Sequence, residues 1–369
     1  MNERDAYIAL NMIQGIGPIS VRAMVQALGS AAAIFEADRD QLLAVAGIGP
    51  ELSKKIVAQR RSVAWEAELA AVEKLGAAVL TPVDDAYPKP LREIHDPPLA
   101  LYVWGRLEER DRHAVAVVGS RRMTLYGQQT SERLAYQLAQ AGFTVVSGLA
   151  RGIDTAAHRG ALKAKGRTLA VLGGALDRIY PEENTDLAKA IAESGAVLSE
   201  FPLGRDPDKT TFPMRNRIIS GLSLGVLVVE AGVDSGAMIT AREAADQGRT
   251  VFAIPGRIDS AGSKGCHRLI RDGARLVETV DDILEEFEML IPRERSAAGA
   301  ETPASRPAPT LSADEACLVE LLRQEERMDM DALTRRSGLS PAAVSVAAIG
   351  LEMKRVARMM PGRILELAS

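Results

Sequence analysis

The chain has 369 residues, 47% of them apolar and 25% charged, with a formal net charge of -4. That balance supports a core of ordinary size and excludes a bulk basic protein that coats nucleic acid, so any site for a polyanion has to be a local cluster of Arg and Lys. Cys266 and Cys317 stand too far apart for a CxxC pair, which argues against a disulfide framework or zinc ligand set and for a reducing, cytoplasmic setting. Met1 to Leu10 carries Glu3, Arg4 and Asp5, unlike a signal peptide, and no apolar run approaches the ~18 residues of a membrane span.

In chain order, residues 1–75 read as a helical domain broken at Gly15–Gly17 and Gly47–Gly49. Each break is a Gly-Ile-Gly turn between two helices, a pattern that resembles the helix-hairpin-helix. Glycines at such a turn let backbone N–H groups approach a phosphate. Basic residues nearby are few (Arg22, Lys54, Lys55), so a structural role is favoured over contact with nucleic acid.

Residues 76–290 form the expected core with its lead-in, of which 76–112 is the least regular part. Short runs rich in Val, Ala and Leu predict strands at Ala114–Val118, Thr144–Val146, Thr168–Leu172, Val197–Glu200, Gly225–Glu230 and Thr250–Ile254. Helices are expected between them at 125–141, 153–165, 185–194, 214–222, 236–247 and 266–272. Strands with so little polar alternation are buried on both faces, and their alternation with helices predicts an α/β fold: a Rossmann-like, doubly wound, mostly parallel sheet. Residues 291–311 hold four prolines and no apolar period, and read as a linker. The remainder, 312–369, offers helices at Ala313–Gln324, Met330–Arg336 and Pro341–Lys354, then two strands around a Pro361–Gly362 turn. That is the outline of a winged helix.

In a doubly wound sheet ligands bind beyond the carboxyl ends of the strands. The first core strand ends in Gly119-Ser120-Arg121-Arg122-Met123-Thr124, which is neither GxGxxG nor a Walker A loop. It supplies a small residue, hydroxyls and a guanidinium, groups that suit a phosphate diester. The second strand ends in Gly148-Leu149-Ala150-Arg151-Gly152, and the third leads to Tyr180-Pro181 and Asn184. A loop over 202–217 carries Phe212-Pro213-Met214-Arg215-Asn216-Arg217. The fifth strand leads to Ser235-Gly236, and the sixth to Lys264. Their convergence predicts a polar, cationic crevice.

The runs GSRRMT, SGLARGIDTAAHRGAL, LDRIYPEEN, SEFPLG, FPMRNRIISGLS and VVEAGVDSGAMITAREAADQGRTVFAIPG resemble the DNA-processing protein A family over about 110–275. The helical start, of the SAM-like type, and the winged-helix end agree with it. The resemblance implies a homodimer that binds single-stranded DNA without catalysis or cofactor and loads a RecA-type recombinase onto it. A single-strand-binding protein is a further candidate partner. Carried over by motif, the strand contacts are Ser120, Arg121, Thr124, Gly148, Gly152, Arg215, Asn216, Arg217, Ser235, Gly236 and Lys264. Two departures are Ala175, where the family usually has glycine, and His267, where it usually has asparagine.

Competing chemistry is weaker. Asp154 and His158 share a helix face, but with no further ligand beside them an i,i+4 contact is expected rather than a metal or acid–base pair. Ser147, Asp154 and His158 supply the residue types of a hydrolase triad without a GxSxG elbow. A phosphoribohydrolase-like enzyme would need a PGGxGTxxE run, which is absent. In the winged helix, 312–369 holds eight Lys and Arg against nine Asp and Glu, and the expected recognition helix offers no base-reading side chain. An auxiliary or protein-contact role is therefore expected there.

Overall fold

Six short apolar segments, each followed by a helix, can bury both faces only in a parallel sheet covered on both sides, and the computed structural model of the protein contains that sheet. It describes residues 1–287, 311–325, 327–354, 356–360 and 364–367. Two compact units result, Met1–Pro292 and Arg293–Ser369.

The strands of the first unit are β1 (Ala77–Leu80), β2 (Leu101–Gly105), β3 (Ala114–Val118), β4 (Thr144–Ser147), β5 (Thr168–Val171), β6 (Ala196–Ser199), β7 (Gly225–Val228), β8 (Thr250–Ala253) and β9 (Arg275–Leu276). They form one sheet among the described residues, in the order β1-β2-β6-β5-β4-β3-β7-β8-β9. The pairs from β6 to β9 are parallel. Only β1–β2 and β2–β6 are antiparallel. The period-2 geometry of β3 divides its side chains between two cores: Ala114, Ala116 and Val118 face one, Val115 and Val117 the other.

Winding decides where a ligand fits. From β3 the chain proceeds through β4, β5 and β6 to one side, then returns to β7 on the other side of β3. The loops after β3 and β7 leave in opposite directions, and a crevice opens between them at the carboxyl ends. Two strands of the lead-in, β1 and β2, escaped the sequence reading, as did β9. They are short, and prolines fill the interval between β1 and β2.

Helices Glu3–Met12, Pro18–Leu28, Ala31–Glu36, Arg39–Leu43, Pro50–Gln59 and Trp65–Lys74 make up the start of this unit. Gly17 and Gly49 precede the helices whose first residues are Pro18 and Pro50, and Gly15 and Gly47 take φ of 85° and 84°. Leu10, Met24, Ile34, Leu42 and Ile56 form its core together with Leu99 of the lead-in.

In the second unit, helices Ala313–Glu325, Met330–Ser337 and Pro341–Met353 pack with β10 (Arg327–Asp329), β11 (Ala357–Met360) and β12 (Ile364–Leu367), ordered β10-β12-β11. This is a winged helix. The Pro361–Gly362 turn, and the expected linker up to residue 310, lie outside the described residues. Among the described residues no helix is long and apolar enough to cross a membrane.

Candidate nucleic-acid interface

At the switch point between β3 and β7 lies a crevice of about 750 Å³. Ser120, Arg121 and Arg122 line it from the loop after β3, Ser235 and Gly236 from the loop after β7, and Lys264 from the loop after β8. Ala150 and Asp154 contribute from the segment after β4, and Phe212, Arg215 and Asn216 from one helix.

That helix corrects a boundary. The helix expected at 214–222, overlapping the end of the 202–217 loop, begins three residues earlier and spans Thr211–Gly221. Asp208 starts it by accepting from the amides of Thr210 and Thr211 at 2.7 and 3.0 Å, and Pro213 falls within the first turn, where its missing N–H costs nothing. On a helix, residues two apart point roughly 200° apart. Arg215 and Arg217 therefore cannot both face the crevice, and the structure puts Arg217 elsewhere. Arg217 binds both oxygens of Glu200 at 2.7 Å and Asp96 Oδ2 at 2.8 Å, all within the protein.

Arg215 lies at the crevice floor, 4% exposed. Its Nη1 donates to the carbonyls of Gly148 (2.6 Å) and Val171 (2.5 Å), tying the ends of β4 and β5 together. Its Nε is buried without a partner. Among the described residues it forms no ion pair, and its Nη2 makes no hydrogen bond. Burial pulls its pKa down to about 10; Asp154 opposes that shift and Arg121 adds to it. A buried cation with no carboxylate in ion-pair contact is costly; the nearby Asp154 offsets part of that cost, and the guanidinium borders the open crevice.

Other predicted contacts hold the loops rather than face the space. A Cβ on Gly148 would collide with the Arg215 guanidinium, and one on Gly152 with the Ser120 carbonyl. Gly152 also takes φ +80°. Thr124 caps the helix Leu125–Gln140, and both its amide (2.9 Å) and hydroxyl (2.5 Å) donate to Glu230, a buried carboxylate the sequence reading noted only as a strand end. Neither Thr124, Gly148 nor Gly152 lines the crevice.

Ser120, Arg121, Ser235, Gly236 and Lys264 do line it. Ser235 caps the helix Gly236–Asp246, whose positive dipole end faces the space. A Cβ on Gly236 would meet nothing within 4 Å. Lys264 Nζ donates to Ile258 O at 2.6 Å. Arg121 is exposed and lies over Phe212, its Cζ 4.7 Å from the ring centroid.

Asp154 does not contact His158 as expected. Its Oδ2 accepts from the amides of Gly148 (3.2 Å) and Ala150 (3.4 Å), and burial raises its pKa. His158 Nδ1 lies 2.7 Å from Thr168 Oγ1, its Nε2 has no partner, and burial followed by the Arg215 charge lowers its pKa to about 3. Ser147 Oγ donates to Val117 O, so no triad is assembled. Ala175 is fully buried and away from the crevice, and His267 Nε2 stands 2.9 Å from Gly256 O, bracing the β8 loop.

The sequence profile of the DNA recombination-mediator protein A family matches residues 78–288. Profiles of a SAM-like helix-hairpin-helix tandem and of the DprA winged helix domain match 7–62 and 302–363. Protein Smf of Synechocystis sp. is 39% identical over 288 residues, 77% of this chain and 72% of that protein. The solved structure of DNA processing protein A from Streptococcus pneumoniae superposes with a TM-score of 0.68 at 36% identity, covering 78% of this chain and 99% of that one. A structure of the Helicobacter pylori protein, which concerns that protein's single-stranded DNA binding mode, gives 0.52 at 32% identity and covers 58% and 96%. With a profile match over more than half its length, the chain belongs to the DNA recombination-mediator protein A family.

Proposed function

We propose that the protein binds single-stranded DNA in the β3/β7 crevice without reading its sequence, and as a homodimer loads a RecA-type recombinase onto the strand. The observation that carries this reading is Arg215: a buried guanidinium with no ion-pair partner among the described residues, at the floor of a crevice rimmed by Arg121, Arg122 and Lys264. Such a floor is stabilised by an anion, and the rim repeats the charge along a path that a phosphate backbone can follow. The helix Gly236–Asp246 adds its N-terminal dipole. Ser120, Arg121, Arg215, Asn216, Ser235, Gly236 and Lys264 are the proposed contacts. Thr124, Gly148 and Gly152 shape the loops, and Arg217 carries no strand contact.

The name of the S. pneumoniae relative, DNA processing protein A, and the single-stranded DNA binding mode described for the H. pylori protein support the strand-binding part of this reading. The test is fluorescence anisotropy with single-stranded, double-stranded and mononucleotide competitors over a salt series, followed by recombinase-driven strand exchange with and without the protein. Preferential competition by single strands and stimulated exchange are expected. Equal competition by mononucleotides would point instead to a nucleotide-binding protein.

A further inference from the structure

Beyond the edge of the crevice stands an aromatic side chain that the crevice does not explain. Tyr180, in the loop after β5, is 45% exposed, and its ring centroid lies 5.8 Å from that of Phe212 at an interplanar angle of 49°. The Arg151 Cζ lies 5.9 Å from the Tyr180 centroid. Arg151 is fixed by Glu183 through two bonds, Nε–Oε1 at 3.0 Å and Nη2–Oε2 at 2.8 Å. With Arg121 over Phe212, the four side chains make a row: Arg121, Phe212, Tyr180, Arg151.

The two rings differ in what they can still accept. Phe212 is half-buried and already engaged: a Cβ on Gly173 would sit 2.7 Å from its Cδ1, and Arg121 lies over its ring. Tyr180 remains open. Its loop is pinned by Asn184, whose Nδ2 donates to Leu149 O and to Thr155 Oγ1, both at 2.8 Å. A ring held in place yet exposed is already ordered for stacking, so a planar partner pays little conformational entropy.

Charge narrows the ligand. Arg151 is already paired with Glu183, Arg178 of the same loop lies within 4 Å of Asp177 and Asp206, and Glu182 adds a further carboxylate. This surface is near neutral and offers little to a phosphate, whereas a π-face suits any base. We propose that Tyr180, flanked by Arg151 and Phe212, is a stacking platform for a base of the single strand leaving the crevice past Ala150 and Phe212, which sends the strand across the carboxyl ends of β4 and β5. The proposal rests on the crevice reading above and adds to it a direction and a contact type.

The experiment compares Tyr180→Leu, Tyr180→Phe and the wild-type full chain by anisotropy, using oligonucleotides of graded length and a long one carrying an abasic site at successive positions. Tyr180→Leu is expected to weaken binding of long strands about tenfold, with the log-affinity versus log-salt slope unchanged. Short strands that fill only the crevice should bind as to wild type, and Tyr180→Phe should bind like wild type throughout. One abasic position should erase the difference between Tyr180→Leu and wild type. Wild-type affinity of Tyr180→Leu for long strands, or a shallower salt slope, would overturn the platform. Should Tyr180→Leu fail to fold, photocrosslinking of 5-iododeoxyuridine strands to the wild-type chain decides: an adduct on Tyr180 supports the proposal, and adducts confined to other residues overturn it. Failure of the crevice reading is separate, because then Arg121→Ala would bind single strands with wild-type affinity and salt slope.

Discussion

Arg121 and Arg217 have different work, and substitution separates them. Arg121→Ala should weaken single-strand binding alike for all sequences and make the salt slope shallower by roughly 0.7, the share of one lost phosphate contact. Arg121→Lys keeps the charge but not the delocalised guanidinium over Phe212 or its forked donors, so it should recover the slope and only part of the affinity. Arg217→Met leaves Glu200 buried without its partner and should cost about 3–5 kcal/mol in denaturant unfolding, with the salt slope of the folded protein unchanged. A change of slope in Arg217→Met would return this residue to the strand path. His158 gives a titration at the same scale. Its folded pKa of about 3 lies below the ordinary 6.5, so between those values the unfolded chain binds the extra proton. The contribution is complete above pH 6.5 and is lost as pH falls through the window, by about 1.4 kcal/mol per pH unit. Asp154, with its pKa raised, acts in the opposite sense. The measurement is therefore the difference between wild type and His158→Gln, whose stability should fall less steeply on acidification.

At the scale of elements, the crevice is held open by loops bonded to one another rather than to a ligand. Glu230, at the end of β7, grips the amide and hydroxyl of Thr124 and so fixes the start of the helix Leu125–Gln140. Ser120 N donates to Glu230 O at 2.7 Å, and Ile153 N to Ser120 O at 3.2 Å, which joins the loops after β3, β4 and β7 into one rim. Replacing Glu230 by Ala removes two hydrogen bonds to a carboxylate and should loosen the rim without removing any positive charge. Hydrogen exchange over 119–127 should speed up, and single-strand affinity should fall several-fold with the salt slope retained. Unaltered exchange there would mean that packing, not Glu230, sets the rim.

For the whole molecule, the crevice and the winged helix belong to different units, and the charge lies with the crevice. The 312–369 segment carries eight basic and nine acidic residues, and its helix Pro341–Met353 exposes Val346 and Ile349 rather than Arg, Asn or Gln. Deleting 308–369 should leave single-strand affinity within about twofold of wild type in anisotropy; a folded truncation that has lost most binding would reassign the site. A single crevice can hold only a short stretch of strand, on the order of ~4–16 nucleotides. In a homodimer the second crevice engages at a high effective concentration. A monomerising substitution should therefore cost far more affinity for long strands than for short ones, with light scattering reporting the state of assembly.

How far these levels were legible follows from the range of the interactions that set them. Local pattern carried the strands β3 to β8, because strands buried on both faces are apolar at most positions, with Thr144, Ser147, Thr168 and Ser199 as buried polar exceptions. The Gly-Ile-Gly turns likewise announce themselves through the backbone freedom they need. Ser120, Arg121, Ser235, Gly236 and Lys264 follow from loop position alone, since every carboxyl end of a parallel sheet faces one side. Burial partners were not legible. That Arg217 meets Glu200 and Asp96, that Glu230 holds Thr124, and that Gly148 exists to admit Arg215 depend on residues 17 to 121 positions apart. The sequence by itself determined the parallel sheet, its loops and their cationic chemistry. Only the tertiary structure decided which arginine opens to the crevice, because the helical phase of residues 211–221 is fixed by long-range packing that no local period encodes.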